Sequence, residues 1–206
     1  MKIDFKKAIP SYKAKPGVFQ VVEIPLLHYL AIEGGGGPES SDYAAAIATL
    51  YPVAYTLKFM SKIELKKDYV VPPLQARWWA DDWAVFTTKF DKTKWDWSAM
   101  LMTPNWIDES MFEQAVEKVA KKKNPPLLDR LRLIELDEGL CVQTLHVGPY
   151  SNEGPVLKEM HEVFIPGQGL SLTGKHHEIY LNDYRRVSPE KLRTVLRQQV
   201  AREGSQ

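Results

Sequence analysis

The 206-residue chain has a single cysteine, Cys141, so no disulfide can close within it. Cys141 lies in the apolar run "LCV" and reads as a core residue rather than a nucleophile; its isolation fits a reducing cytoplasm. No stretch of eighteen apolar residues occurs, so no membrane span is expected. The opening "MKIDFKKAIPSYKAKPG" carries basic residues with no apolar segment after them, which argues against a secretory signal. Neither charge dominates: 27 basic residues face 26 acidic ones, for a net charge of +1. With no helix-turn-helix or zinc-finger pattern either, direct nucleic-acid binding is not expected.

The usual catalytic motifs are missing too. There is no HExxH, and His146 and His161 lack a spaced partner. His176 and His177 are adjacent in what reads as a strand, so they point to opposite faces and cannot easily share a metal. The glycines at 34–37 follow a strand and precede a helix. They lack the GxGxxG order and no P-loop lysine follows, so they read as a flexible turn. No GxSxG serine is present. Neither a metal nor a cofactor is expected.

What the chain does have is tryptophan. All six fall between Trp78 and Trp106. In "ARWWADDWAVF", Trp78 and Trp79 point to opposite faces of a strand, so one can be core while the other needs a different explanation. Trp106 sits in the loop "TPNWIDES" just before a helix cap.

Two segments resemble each other. "VVEIPLLHYLAIEGGGGPESSDYAAAIATLY" from Val21 and "LIELDEGLCVQTLHVGPYSNEGPVLKEMHEVF" from Leu133 each give strand, turn, strand, Gly-Pro break, Ser cap and helix. "DWSAMLMTPNWIDESMFEQAV" from Asp96 likewise matches "KHHEIYLNDYRRVSPEKLRTV" from Lys175. The pattern is a tandem duplication of an α+β unit. The helices follow from apolar spacing and caps. One starts after Ser40 with Tyr43, Ile47, Leu50, Ala54 and Leu57 as its stripe, and Pro52 predicts a kink or broken turn inside it. A second runs from Asp108 to before Pro125, with "KKK" at 121–123 complementing its end. A third starts from Ser151 and stops at Pro166-Gly167. The segment "KLRTVLRQQV" after Ser188 reads as a short helix leading into an edge strand. Helices should cover one face of each antiparallel sheet.

Within "GKHHEIYLNDYRR", strand alternation puts Glu178 and Tyr180, with His176, on one face and His177, Ile179 and Leu181 on the other. The apolar set is expected to face the helix. The Glu178 face then looks into a groove or simply into solvent. A carboxylate among aromatic rings is a usual lining for a flat or cationic organic molecule, and could act as acid or base near neutral pH.

"LHVGPYSNEGPVLKEMHEVF" and "GKHHEIYLNDYRRVSPEKLRTVLRQQV", together with "YPVAYTLKF" and "ARWW", resemble the GyrI-like small-molecule-binding superfamily, in its stand-alone branch of two fused units. The resemblance implies two tandem β-α-β-β (SHS2-like) repeats, 1–124 and 125–206, related by a pseudo-two-fold within one structural domain. A ligand groove would lie between them. It implies that Glu178 points into that groove. The stand-alone branch includes proteins similar to cyclopropanoid cyclopropyl hydrolases, which add water to the strained ring of DNA-alkylating agents. On that resemblance, Glu178 and Tyr180 are the expected catalytic residues. Tyr55, Trp79, Trp83, Trp106 and His176 are the expected substrate-binding residues. The expected partner is a flat aromatic or electrophilic small molecule. A binding protein that sequesters or senses xenobiotics is the alternative, and a module that inhibits an enzyme such as gyrase has precedent in the superfamily.

Overall fold

The computed structural model describes residues 2–86, 89, 91–202 and 204; the side chain of Trp83 lies outside the described residues. In chain order the main strands are β1 (Gln20–Ile24), β2 (Leu27–Gly35), β3 (Leu74–Trp79), β4 (Asp96–Thr103), β5 (Arg132–Leu136), β6 (Gly139–Val147), β7 (Leu170–Tyr180) and β8 (Arg193–Arg202). Besides a single helical turn at Phe5–Ala8, the helices are α1 (Ser41–Glu64), α2 (Glu109–Lys122) and α3 (Gly154–Glu159). The last continues through a π-helical turn, Met160–Phe164, into Ile165–Gly167. The chain is α+β, and every pairing among β1–β8 described below is antiparallel.

The chain forms two compact units, Met1–Ala8 with Leu27–Leu136 and Ile9–Leu26 with Asp137–Gln206. The first has strands in the order β3-β4-β2-β5, the second β1-β6-β8-β7. β1 leads straight into β2 yet pairs with β6, while β5 leads into β6 yet pairs with β2. The compact units therefore follow strand pairing rather than a single cut in the sequence.

In the first unit, α1 starts where Ser40 Oγ accepts a hydrogen bond from the Tyr43 N–H at 3.2 Å, a side-chain cap for an otherwise unpaired donor. Ala46, Leu50, Val53 and Leu57 recur at helical spacing and are fully buried. The helix runs unbroken through Pro52, against the broken turn the sequence suggests. Proline removes one backbone bond, but burial of Leu50 and Val53 on either side holds the segment in place. α1 covers β2 and β4. There Trp97 is fully buried, with the Tyr43 ring edge-on at 5.1 Å. A Cβ at Gly34 would come within 2.4 Å of the Trp97 ring, so glycine at that site is what admits the indole. α2 is capped by Asp108 Oδ1, which accepts from the Met111 N–H at 2.8 Å, as expected.

The second unit departs further from expectation. Tyr150–Asn152 is a 3-10 turn, and α3 begins after Glu153 with no side-chain cap, so Ser151 does not cap it. β8 follows a 3-10 turn at Pro189–Lys191 and is not an edge strand: it lies between β6 and β7. Val195 and Leu196 are both fully buried, one on each face, as an inner strand covered on both sides requires. On one face Val142, Leu196 and Val200 pack with Met160 and Ile165 of the helical segment. On the other, Leu145, Ile179 and Val195 pack with Tyr12 and Ala14 of the N-terminal segment. Cys141 is fully buried, as expected for a core residue.

Candidate functional site

Register decides which face carries the candidate residues. Tyr180, Glu178 and His176 lie opposite Thr194, Leu196 and Gln198 of β8, so they share the face of Leu196. Leu196 belongs to the core under α3 and its π-helical turn. The Glu178 face is therefore the helix-covered one, and the expectation for Ile179 and Leu181 is reversed: they pack against residues 9–14. Alternation holds, but the N-terminal segment, not the helix, covers the more apolar face.

Glu178 is held from both sides. Tyr180 Oη donates to its Oε2 at 2.7 Å, and His176 Nε2 lies 3.4 Å from its Oε1. Its side chain is only 15% exposed. The Tyr150 ring meets the Tyr180 ring edge-on at 5.7 Å. Burial, then the negative charges of Glu153 and Glu178, push the Tyr150 phenol up to about 12. His161, on the π-helical turn, faces His176 with ring centroids 6.3 Å apart. Burial, then the second imidazole, push His161 down to about 4, so it stays neutral near pH 7.

A further carboxyl, Glu153, was not singled out in the sequence. It is buried at the start of α3. Burial, then the charge of Glu178, push it up to about 9 against a smaller opposing effect of Thr194. It is protonated at neutral pH. In the sequence it stands just before "GPVLKEM" with nothing to mark it, and it is Thr194 and Glu178, both distant along the chain, that act on it.

This arrangement stands out against the first unit. In the internal match of Asp96 onward with Lys175 onward, His176, Glu178 and Tyr180 correspond to Trp97, Ala99 and Leu101. Those three are fully buried apolar residues. The second unit thus replaces core side chains by an imidazole, a carboxylate and a phenol. Burying such groups is costly unless they are paired, which argues for a chemical rather than a packing role.

The other expected site residues lie in the first unit. Tyr55 is half exposed on α1, with its ring stacked at 6.4 Å on Tyr51. Trp79 is half-buried at the end of β3. Trp106 donates from Nε1 to Ser61 Oγ at 3.0 Å and packs beside Phe5 and Tyr69, so it has a structural role of its own. Trp83 opens a 3-10 helix, but its side chain lies outside the described residues. The structure brings together Glu178, Tyr180 and His176. Among the described residues no group of three or more His, Cys, Asp or Glu side chains could hold a metal ion.

On the opposite face lies a buried ionic network. Glu138 Oε1 is 2.9 Å from His177 Nδ1, and Arg197 Nη1 donates to Glu138 Oε2 at 2.9 Å. Arg197 also donates to Gln143 Oε1 at 3.2 Å and to the Ser11 carbonyl. Burial alone would raise Glu138, but the charge and hydrogen bond of His177, then those of Arg197, hold it well below the ordinary carboxylate range.

A family model described as the GyrI-like small molecule binding domain matches residues 17–200. A crystal structure of an uncharacterized conserved protein from Listeria innocua is 38% identical, with a TM-score of 0.89, over 97% of this chain and 100% of that one. A crystal structure described as a hydrolase from Listeria innocua is 37% identical, with a TM-score of 0.84, over 97% of this chain and 100% of that one. The C-terminal domain of EcmrR, 11% identical over 90% of this chain and 98% of that one, shares the fold with a TM-score of 0.56. Among curated proteins no match is found. No helix among the described residues is long and apolar enough to cross a membrane.

Proposed function

Since the chain belongs to the GyrI-like small-molecule-binding family, we propose that it is a hydrolase of electrophilic, flat aromatic molecules, of the kind that adds water to a cyclopropanoid alkylator. The observation that carries this reading is the Glu178 carboxylate, held between Tyr180 Oη and His176 on a face that is core in the first unit. The relative described as a hydrolase, 37% identical over nearly the whole chain, supports it. In such a reaction water attacks the strained carbon while the breaking C–C bond sends its electron pair to a conjugated carbonyl. Glu178 orients the water and takes its proton. The Tyr180 phenol fixes the carboxylate, and the Tyr150 and Tyr180 rings offer an aromatic edge to the substrate. A protein of this kind would protect its cell from the alkylating agent.

The test is to incubate the protein with a cyclopropanoid alkylator and count water adducts by mass spectrometry. More adduct than protein is expected. Stoichiometric binding with the cyclopropane intact would replace this reading with a sequestering or sensing protein.

A further inference from the structure

α1 is apolar on the side that faces away from the sheet as well as on the side that packs against it. From Tyr43 to Leu57 it has no charged residue. Ala46, Leu50, Val53 and Leu57 fill its inner face. Its exposed residues between Tyr43 and Ser61 are Ala44, Ala48, Tyr55 and Phe59, and Ile63 follows one turn on. Tyr55 and Phe59 are half exposed, and Ile63 is 65% exposed. Tyr51, Tyr55, Phe59 and Ile63 recur at every fourth position and so form one stripe along the helix. A helix that is apolar all round is ordinarily covered all round, and an exposed apolar patch rimmed by charge marks a surface that meets a partner. The rings of the stripe are held in place. The Tyr55 ring stacks on Tyr51 at 6.4 Å. Lys58 Nζ lies 4.3 Å from the centre of the Phe59 ring and is itself fixed by Asp68 Oδ1 at 3.1 Å. Rings already fixed lose little freedom when they are covered.

We propose that this face of α1 is where two copies of the chain associate, helix against antiparallel helix, about a two-fold axis beside Val53. The inference is independent of the hydrolase reading. Size favours it first. Antiparallel pairing about that axis sets Ala44 of one copy against Ile63 of the second, Ala48 against Phe59, and Pro52 against Tyr55. The small residues of the N-terminal half thus receive the bulky ones of the C-terminal half, and a two-fold interface has to be self-complementary in this way. Charge favours it next. Glu39 and Asp42 stand at the N-terminal end of the stripe, Lys62 and Lys66 at the C-terminal end. Glu39, Asp42 and Lys62 each have one oppositely charged partner within the chain, Lys92, Arg130 and Asp68, and each keeps a good part of its side chain exposed. Antiparallel helices bring acid to base at both ends and oppose their dipoles, where parallel helices would set like against like. A lipid surface fits less well, because the rim carries Glu39, Asp42 and Glu64 as well as lysines.

The area sets the strength. From Ala44 to Ile63 the stripe runs about 30 Å along the helix and about 10 Å across, a footprint of roughly 300 Å² per copy. That is well below the ~800 Å² per partner of a standard interface, so the dimer is a weak one that depends on concentration.

Sedimentation of the full chain tests this. The mass is expected to rise from one copy toward two as concentration is raised through the micromolar range and beyond. Ala48→Glu and Phe59→Lys, both at exposed positions, are each expected to weaken self-association by roughly tenfold or more while leaving the helical circular dichroism unchanged. Mixing the two variants should restore association, because the introduced charges then face each other across one half of the interface and the native Ala48 and Phe59 meet across the other. A protein that stays monomeric at every concentration would overturn the proposal, and binding of that monomer to phosphatidylcholine vesicles would give the face to a lipid surface instead. A dimer that Ala48→Glu leaves unweakened would place the contact elsewhere and overturn it as well, even if Phe59→Lys fails to fold. Two folded variants that each lose association and do not recover it on mixing would overturn the antiparallel pairing.

Discussion

Glu178→Gln is expected to lower turnover of a cyclopropanoid substrate by roughly 10²–10⁴-fold while leaving its binding within a few-fold. Glutamine keeps the shape of the side chain and can still accept from Tyr180 Oη. It cannot take a proton from water. Loss is therefore expected in kcat, and the measurement is steady-state kinetics beside equilibrium binding to the folded variant. Wild-type turnover in a folded Glu178→Gln protein would reduce Glu178 to a recognition residue. A large loss of binding with kcat intact would say the same by another route.

The second large effect is on stability. Arg197→Met should destabilise the protein by about 3–5 kcal/mol, because it leaves Glu138 and His177 buried without their cationic partner. It also removes the donor to the Ser11 carbonyl, one of the ties that hold the N-terminal segment over β7 and β8. Denaturant unfolding at neutral pH measures the loss. The pH dependence has a definite sign. The folded-state pKa of Glu138 is depressed, so its stabilisation is fully present above the ordinary carboxylate pKa and is lost as pH falls toward the folded value. The gap between wild type and variant should therefore narrow in acid. An equal gap at all pH values would mean that packing of the long side chain, not its charge, supplies the stability.

The sequence made the periodic parts of this fold legible and hid what depends on cover. Alternation in "HHEIYL" placed Glu178, Tyr180 and His176 together, because a strand allows no other arrangement. It did not say which face the helix would take. Ile179 and Leu181 are the more apolar pair, but two covers were available, and the segment around Tyr12 and Ala14 has no periodic signature of its own. β8 is an inner strand where the sequence suggests an edge strand, for a related reason. Arg197, Gln198 and Gln199 look like surface residues, yet Arg197 is buried by its ion pair with Glu138, fifty-nine residues earlier. Such long-range pairing leaves no trace in local pattern. At Pro52 the broken turn that the sequence allows does not form, because local propensity is outweighed by burial on both sides of it. Glu153 stayed hidden because its chemistry comes from Thr194 and Glu178, both distant in sequence. The tryptophans were conspicuous by number, and Trp97 and Trp106 have packing roles that account for them.

The proposed hydrolysis requires that the ligand be held on the helix-covered face of the second unit, at Glu178. Hydrogen exchange with and without a cyclopropanoid alkylator tests this most directly, with Glu178→Gln as the non-hydrolysing form. Ligand is expected to slow exchange at Tyr150–Asn152, along the helical segment through Phe164, and across the β7–β8 pairing from His176 to Tyr180. Protection confined to the Tyr55 and Trp106 regions of the first unit, with 150–164 and 176–180 unchanged, would contradict it.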